Sequence, residues 1–167
     1  MKHLILFGSL SLFLISCTSN TDKQNAANIA LINNYIKAVE ELDYNSMDSL
    51  LADNYVGLGP SRTDTINKAG AIAAWKTNVV NLYSKIHYNR SRTVSVMIPD
   101  GENKGEWVVN WAELNIVYKH NNEEVTIWAN TNYMIENGKI IKSLTVYNEA
   151  DALRQLGYKI VSPVSTE

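Results

Sequence analysis

Apolar positions follow two different rhythms along this 167-residue chain. In the first part they recur every three or four residues. Ile29, Ile32, Ile36 and Val39 are separated by Asn33, Lys37 and other polar positions, which predicts an amphipathic helix over residues 25–42. The stretch LDYN at 42–45 breaks it, and Asn45 is placed to cap a short second helix carrying Met47, Leu50 and Leu51, with Asp48 in its first turn. Residues 55–58 are a short apolar stretch ended by Gly59-Pro60. After a polar connection at 61–64, Asn67 is placed to cap a third helix whose buried stripe is Ile72, Trp75 and Val79.

Beyond the third helix the period changes to two. Strands are expected at about residues 86–97, 105–118, 124–135 and 139–147. Their separators are turn formers: Pro99-Asp100-Gly101, Asn121-Asn122 and Asn137-Gly138. Asn-Gly is the strongest of these, because both central residues of a type I′ hairpin turn need positive φ. Short turns between successive strands make an antiparallel meander, and residues 148–157 close the chain as a short helix between Asn148 and Gly157. Helices followed by a curved antiparallel sheet define an α+β layout: three N-terminal helices on a sheet, with a short C-terminal helix. Residues 161–167 are expected to be a tail.

The first twenty residues belong to neither rhythm. Met1-Lys2-His3 is a short positive start, and residues 4–15 are a mostly apolar run too short for the ~20 residues that span a bilayer. The run ends in Leu14-Ile15-Ser16-Cys17, which resembles the lipobox of bacterial lipoproteins. That resemblance implies a signal peptide over residues 1–16, a lipid such as palmitate on Cys17, and a tether through residue 24 to a domain spanning 25–160. It also implies a cell-envelope location, in the periplasm or at the surface. Thr18, standing where an aspartate would resemble an inner-membrane retention signal, favours the outer membrane.

Composition narrows the chemistry. Cys17 is the sole cysteine, so an intrachain disulfide and a CxxC site are both excluded. The formal charge of the whole chain is −2, and Lys2 leaves with the signal, so no basic surface for nucleic acid is indicated. Both phenylalanines, Phe7 and Phe13, lie in the signal segment, leaving nine tyrosines and four tryptophans as the aromatic content. Such side chains pair apolar area with one polar tip, which suits either a pocket for a partly polar ligand or an ordinary sheet surface. A Gly-rich phosphate loop, an HExxH motif and a Ser-His-Asp arrangement are all missing from the sequence, and no cofactor or metal is indicated.

The element order resembles the NTF2-like cone, and particular residues bring it near the SnoaL-like (polyketide cyclase-like) branch. IALINNYIKAVEELDYNSMDSLLADNY is similar to that family's opening helix pair. NGKIIKSLTVYNEADALRQLGY is similar to its closing hairpin and helix. The resemblance covers about residues 27–158. It implies a deep apolar pocket between helices and concave sheet face, and a convex face that forms a homodimer. Family enzymes of the cyclase and ketosteroid isomerase type use a pocket Asp or His as proton-transfer base. Aligned on Gly138-Lys139-Ile140, those positions fall here on Thr131 and Thr145, and the Asp that often opens the last helix is Asn148. Hydroxyls of this kind are not bases at neutral pH.

The resemblance places Tyr35 and Tyr55 toward the pocket, with Trp75 on the stripe of the third helix. In the third strand of the meander Ala129, Thr131 and Tyr133 lie on one face and Trp128, Asn130, Asn132 and Met134 on the other. The Thr131 row is expected to line the pocket and the Trp128 row the dimer face. Glu113 is the one carboxylate in mid-strand, in phase with Trp107, Trp111 and Asn115. It is either a desolvated base, or a residue on a solvated or dimer-facing row, or one paired with a neighbouring arginine. His87 is the other candidate base, at the pocket rim or exposed. The leading expectation is a lipid-anchored domain binding a small amphipathic molecule. The alternatives are an isomerase or cyclase-type enzyme using Glu113 or His87, and a dimeric protein-interaction module.

Overall fold

The first helix, α1 (Asn20–Glu40), buries Ile32, Tyr35, Ile36 and Val39 along one stripe, as the three-four spacing predicts. In the computed structural model, residues 20–159 and 161 are described. The signal segment, Cys17 and the tail from residue 162 therefore lie outside the described residues. α1 starts five residues before the expected position, so residues 20–24 are helical where a flexible tether was expected. The reason is tertiary: Gln24 and Asn28 both donate side-chain hydrogen bonds to Glu106 Oε2, at 3.0 and 2.6 Å. Polar residues gain a partner there that no local apolar period reveals.

Leu42 turns the chain with φ 55°, and Asp43 then caps α2 (Tyr44–Leu50), accepting from the Asn45 and Ser46 amides. The cap is thus Asp43 and not Asn45, because the left-handed turn frees the chain to restart two residues earlier. Next, β1 (Leu51–Leu58) pairs antiparallel with the short β2 (Thr65–Asn67). Asn67 caps α3 (Lys68–Asn81), its Oδ1 accepting from Gly70 N at 2.9 Å. On α3 the buried residue is Ala71, whereas Ile72 and Trp75 of the expected stripe are half-buried against the core.

Four long strands follow: β3 (Tyr83–Ile98), β4 (Gly105–Tyr118), β5 (Glu124–Glu136) and β6 (Lys139–Tyr147). Each pairs antiparallel with the next, and β1 adds parallel to β6, giving the sheet order β2-β1-β6-β5-β4-β3. The sheet is therefore mixed and not wholly antiparallel. The residues before Tyr55 show no twofold pattern because the β1–β6 register shifts between Leu51 and Val56. Asn137 and Gly138 adopt φ 51° and 70°, the turn their sequence demands. The chain closes with α4 (Glu149–Gln155), capped by Asn148. Among the described residues no helix is long and apolar enough to cross a membrane.

A bulge in β3 between Asn89 and Arg92, with Arg90 at φ 48°, reverses which residues of that strand face the helices. Buried Asn110 holds it, its Nδ2 reaching Ser91 Oγ at 2.8 Å and Thr93 Oγ1 at 3.0 Å. Even-numbered residues of β4 and odd-numbered residues of β5 accordingly face the helices.

Candidate functional site

Pleat and helix stripe together enclose a cavity of about 260 Å³ between α1, α3, α4 and the sheet. Tyr35 and Val39 come from α1, Trp75 from α3, and Tyr55 from β1. Alternation then delivers Asn110, Leu114, Ile116 and Tyr118 from β4, and Ala129, Thr131 and Tyr133 from β5. All six pocket positions singled out from the sequence, Tyr35, Tyr55, Trp75, Thr131, Tyr133 and Thr145, line this space. Tyr83, Tyr88, Tyr118, Tyr147, Ser143 and Asn110 line it too and were not foreseen. Their signal was present, since Tyr88 shares the phase of Ile86, and Tyr118 that of Leu114 and Ile116.

Seven of the nine tyrosines thus surround one cavity whose lining carries no charged side chain. Tyr35 and Tyr133 meet edge to face with ring centroids 5.8 Å apart, and Tyr83 and Tyr118 do so at 5.5 Å. The Tyr55 hydroxyl and Ser143 Oγ are 2.7 Å apart, and the Thr131 and Thr145 hydroxyls 3.1 Å apart. Burial pushes the Tyr35 and Tyr133 phenols well above the ordinary range, with neighbouring phenols adding to the effect. Burial lifts Tyr83 to about 12, with Tyr118 and Tyr147 contributing. At neutral pH these groups are protonated, so each offers a donor and an acceptor to whatever occupies the space.

Glu113 and His87 lie elsewhere. Glu113 sits on the opposite face of β4 from Asn110 and Leu114, opposite Trp128 in the β4–β5 register, with Arg90 Nη1 3.6 Å from its Oε2. The structure therefore selects the outward, arginine-paired position for Glu113. His87 Nδ1 is 2.7 Å from Glu40 Oε1, which also accepts from Tyr88 N at 2.8 Å. That places His87 half in solvent, tying α1 to the edge strand, outside the cavity lining.

No family model and no curated protein sequence matches the chain. Solved structures do match. An LEH-like epoxide hydrolase of M. tuberculosis superposes with a TM-score of 0.60 at 12% identity, over 80% of this chain and 86% of that one. A candidate polyketide cyclase of Xanthomonas campestris gives 0.65 at 13%, over 79% and 98%. A candidate SnoaL-like polyketide cyclase of Shewanella denitrificans gives 0.61 at 16%, over 78% and 96%. At these identities the likeness is one of fold: α+β, helices on a curved, mostly antiparallel sheet, as in SnoaL-like and NTF2-like proteins. Chemistry does not follow from it.

Proposed function

We propose that this protein is a lipid-anchored cell-envelope domain that holds a small amphipathic molecule in its tyrosine-lined cavity. The observation that carries the reading is the lining itself: seven phenols, paired Thr131 and Thr145, and no carboxylate or imidazole. Aromatic faces supply apolar area, and the hydroxyls supply polar contacts at fixed points. An isomerase or cyclase-type reaction needs a base in contact with the substrate. The positions of Glu113 and His87 weigh against either serving. The test fills the space: Ala129→Phe is expected to keep the fold and abolish binding of small organic molecules, read by native mass spectrometry and calorimetry on the full-length protein. If the wild type retains and takes up no such molecule, the reading is wrong.

The anchor rests on Leu14-Ile15-Ser16-Cys17. With α1 beginning at Asn20, an acylated Cys17 holds the domain close to its membrane. Cys17→Ala is expected to release the protein from the membrane fraction. If the variant still fractionates with membranes, there is no lipid anchor.

A second reading concerns assembly. The outer sheet face carries Val94, Val96, Trp111, Trp128 and Val146 as exposed apolar side chains, which supports a homodimer through that face.

A further inference from the structure

Trp75 lines more than one space. A second chamber, wider open to solvent and of about 420 Å³, adjoins the first between α3 and the β1–β2 corner, and Tyr35, Tyr55, Trp75, Ser143 and Thr145 line both. The lining of this second chamber contains one charged residue, Asp64. We infer that the two adjoining chambers together take a molecule with an uncharged, partly polar body and a single cationic end, the body among the tyrosines and the cation at Asp64. The inference rests on the reading of the cavity as a binding site and adds the charge of the ligand.

Asp64 is held in place by the turn it closes. Its Oδ2 accepts from Ser61 N at 3.2 Å, and Gly59 N donates to its carbonyl at 3.2 Å. A Cβ on Gly59 would lie 2.7 Å from both the Asp64 Cβ and Oδ2, so the absent side chain lets the aspartate fold over the strand end. Among the described residues Asp64 forms no ion pair, and no Lys, Arg or His lines either chamber. In the first chamber burial raises the Tyr147 phenol, with Glu149, Tyr118 and then Asp64 adding to it. A cation here meets a solvent-exposed carboxylate in a lining that holds no Lys, Arg or His and includes the aromatic faces of Trp75 and Tyr55. Those faces attract ammonium groups through the ring quadrupole. The same carboxylate repels an anion.

Calorimetry on the full-length protein with three water-soluble probes tests this: benzyltrimethylammonium, benzyl alcohol and benzoate. The cation is expected to bind about tenfold more tightly than the alcohol, with benzoate weakest and the preference shrinking as salt is added. Asp64→Asn keeps an oxygen for the Ser61 amide. It is expected to bring the cation to within about twofold of the alcohol while the alcohol's Kd stays unchanged. If the preference survives in Asp64→Asn, or the wild type favours the alcohol or benzoate, the inference fails and the binding cavity stands. If none of the three binds, and Ala129→Phe behaves as the wild type, the cavity reading fails and takes this inference with it.

Discussion

Adjacent residues of β4 live in two different environments. Ala112 is 0% exposed on the helix-covered face, level with Asn110 and Leu114, while Trp111 beside it is 45% exposed on the other. The same split sorts the aromatic residues of the described strands. Tyrosine gathers inside, seven of nine around the cavity, whereas Trp107 and Trp111 of β4 and Trp128 of β5 are on the outer face, with Trp128 60% exposed. A phenol inside an apolar shell keeps a hydroxyl that must be satisfied, and no buried side-chain polar atom among the described residues lacks a partner. An indole outside offers a broad apolar plate with one donor, the kind of group that dominates protein interfaces. The two faces thus differ in chemistry: hydroxyl-tipped rings surround a cavity on the inner one, and indoles stand exposed on the outer one.

The contrast is sharpest at neighbouring positions. Ala112→Glu places an unpaired carboxylate in the inner face and is expected to cost more than about 4 kcal/mol. Glu113→Gln, one residue along, breaks only the ion pair to Arg90 and should stay within about 1 kcal/mol. Urea denaturation of both variants measures this, and equal losses would dissolve the distinction between the faces.

The next largest effect is alkaline. The cavity phenols have folded-state pKa values above their unfolded value of 10.0, so the folded state binds their protons more tightly. Their contribution is fully present below pH 10 and is lost as pH rises toward the folded value, about 12 for Tyr83. Stability is expected to fall steadily above about pH 10, with phenolate absorbance appearing together with loss of tertiary circular dichroism. Phenolate signal well ahead of unfolding would show that the tyrosines are open to solvent.

The outer face gives the smallest of the three effects. If it forms a dimer, Trp128→Glu should weaken association by about 2 kcal/mol, roughly thirtyfold in Kd, and leave ligand uptake unchanged. Sedimentation decides this, and a wild type that stays monomeric at high micromolar concentration ends the dimer reading.

Much of this was legible in advance for local reasons. β4 and β6 begin and end where the twofold pattern does, and Asn67 and Asn148 cap the helices they precede. Asn137-Gly138 adopts the turn that only such residues adopt readily. What escaped were features made by distant partners. Residues 20–24 read as a polar tether, yet are helical because Glu106 receives Gln24 and Asn28. The pairing of β1 beside β6 depends on a parallel contact between segments far apart in sequence.

The chain's own pattern determined the element types, their caps and turns, and the grouping of Trp107, Trp111 and Glu113 on one side of a strand. These follow from backbone geometry acting over a few residues. The tertiary structure alone decided which side that is. Strand alternation has no preferred sign until helices cover one face, and here they cover the face of Asn110, Tyr118 and Tyr133. It also brought Asp64 and Trp75 into the lining of one cleft, by folding the β1–β2 corner against α3. The charge of a cavity wall is set by which segments meet there, and that is a property of the fold.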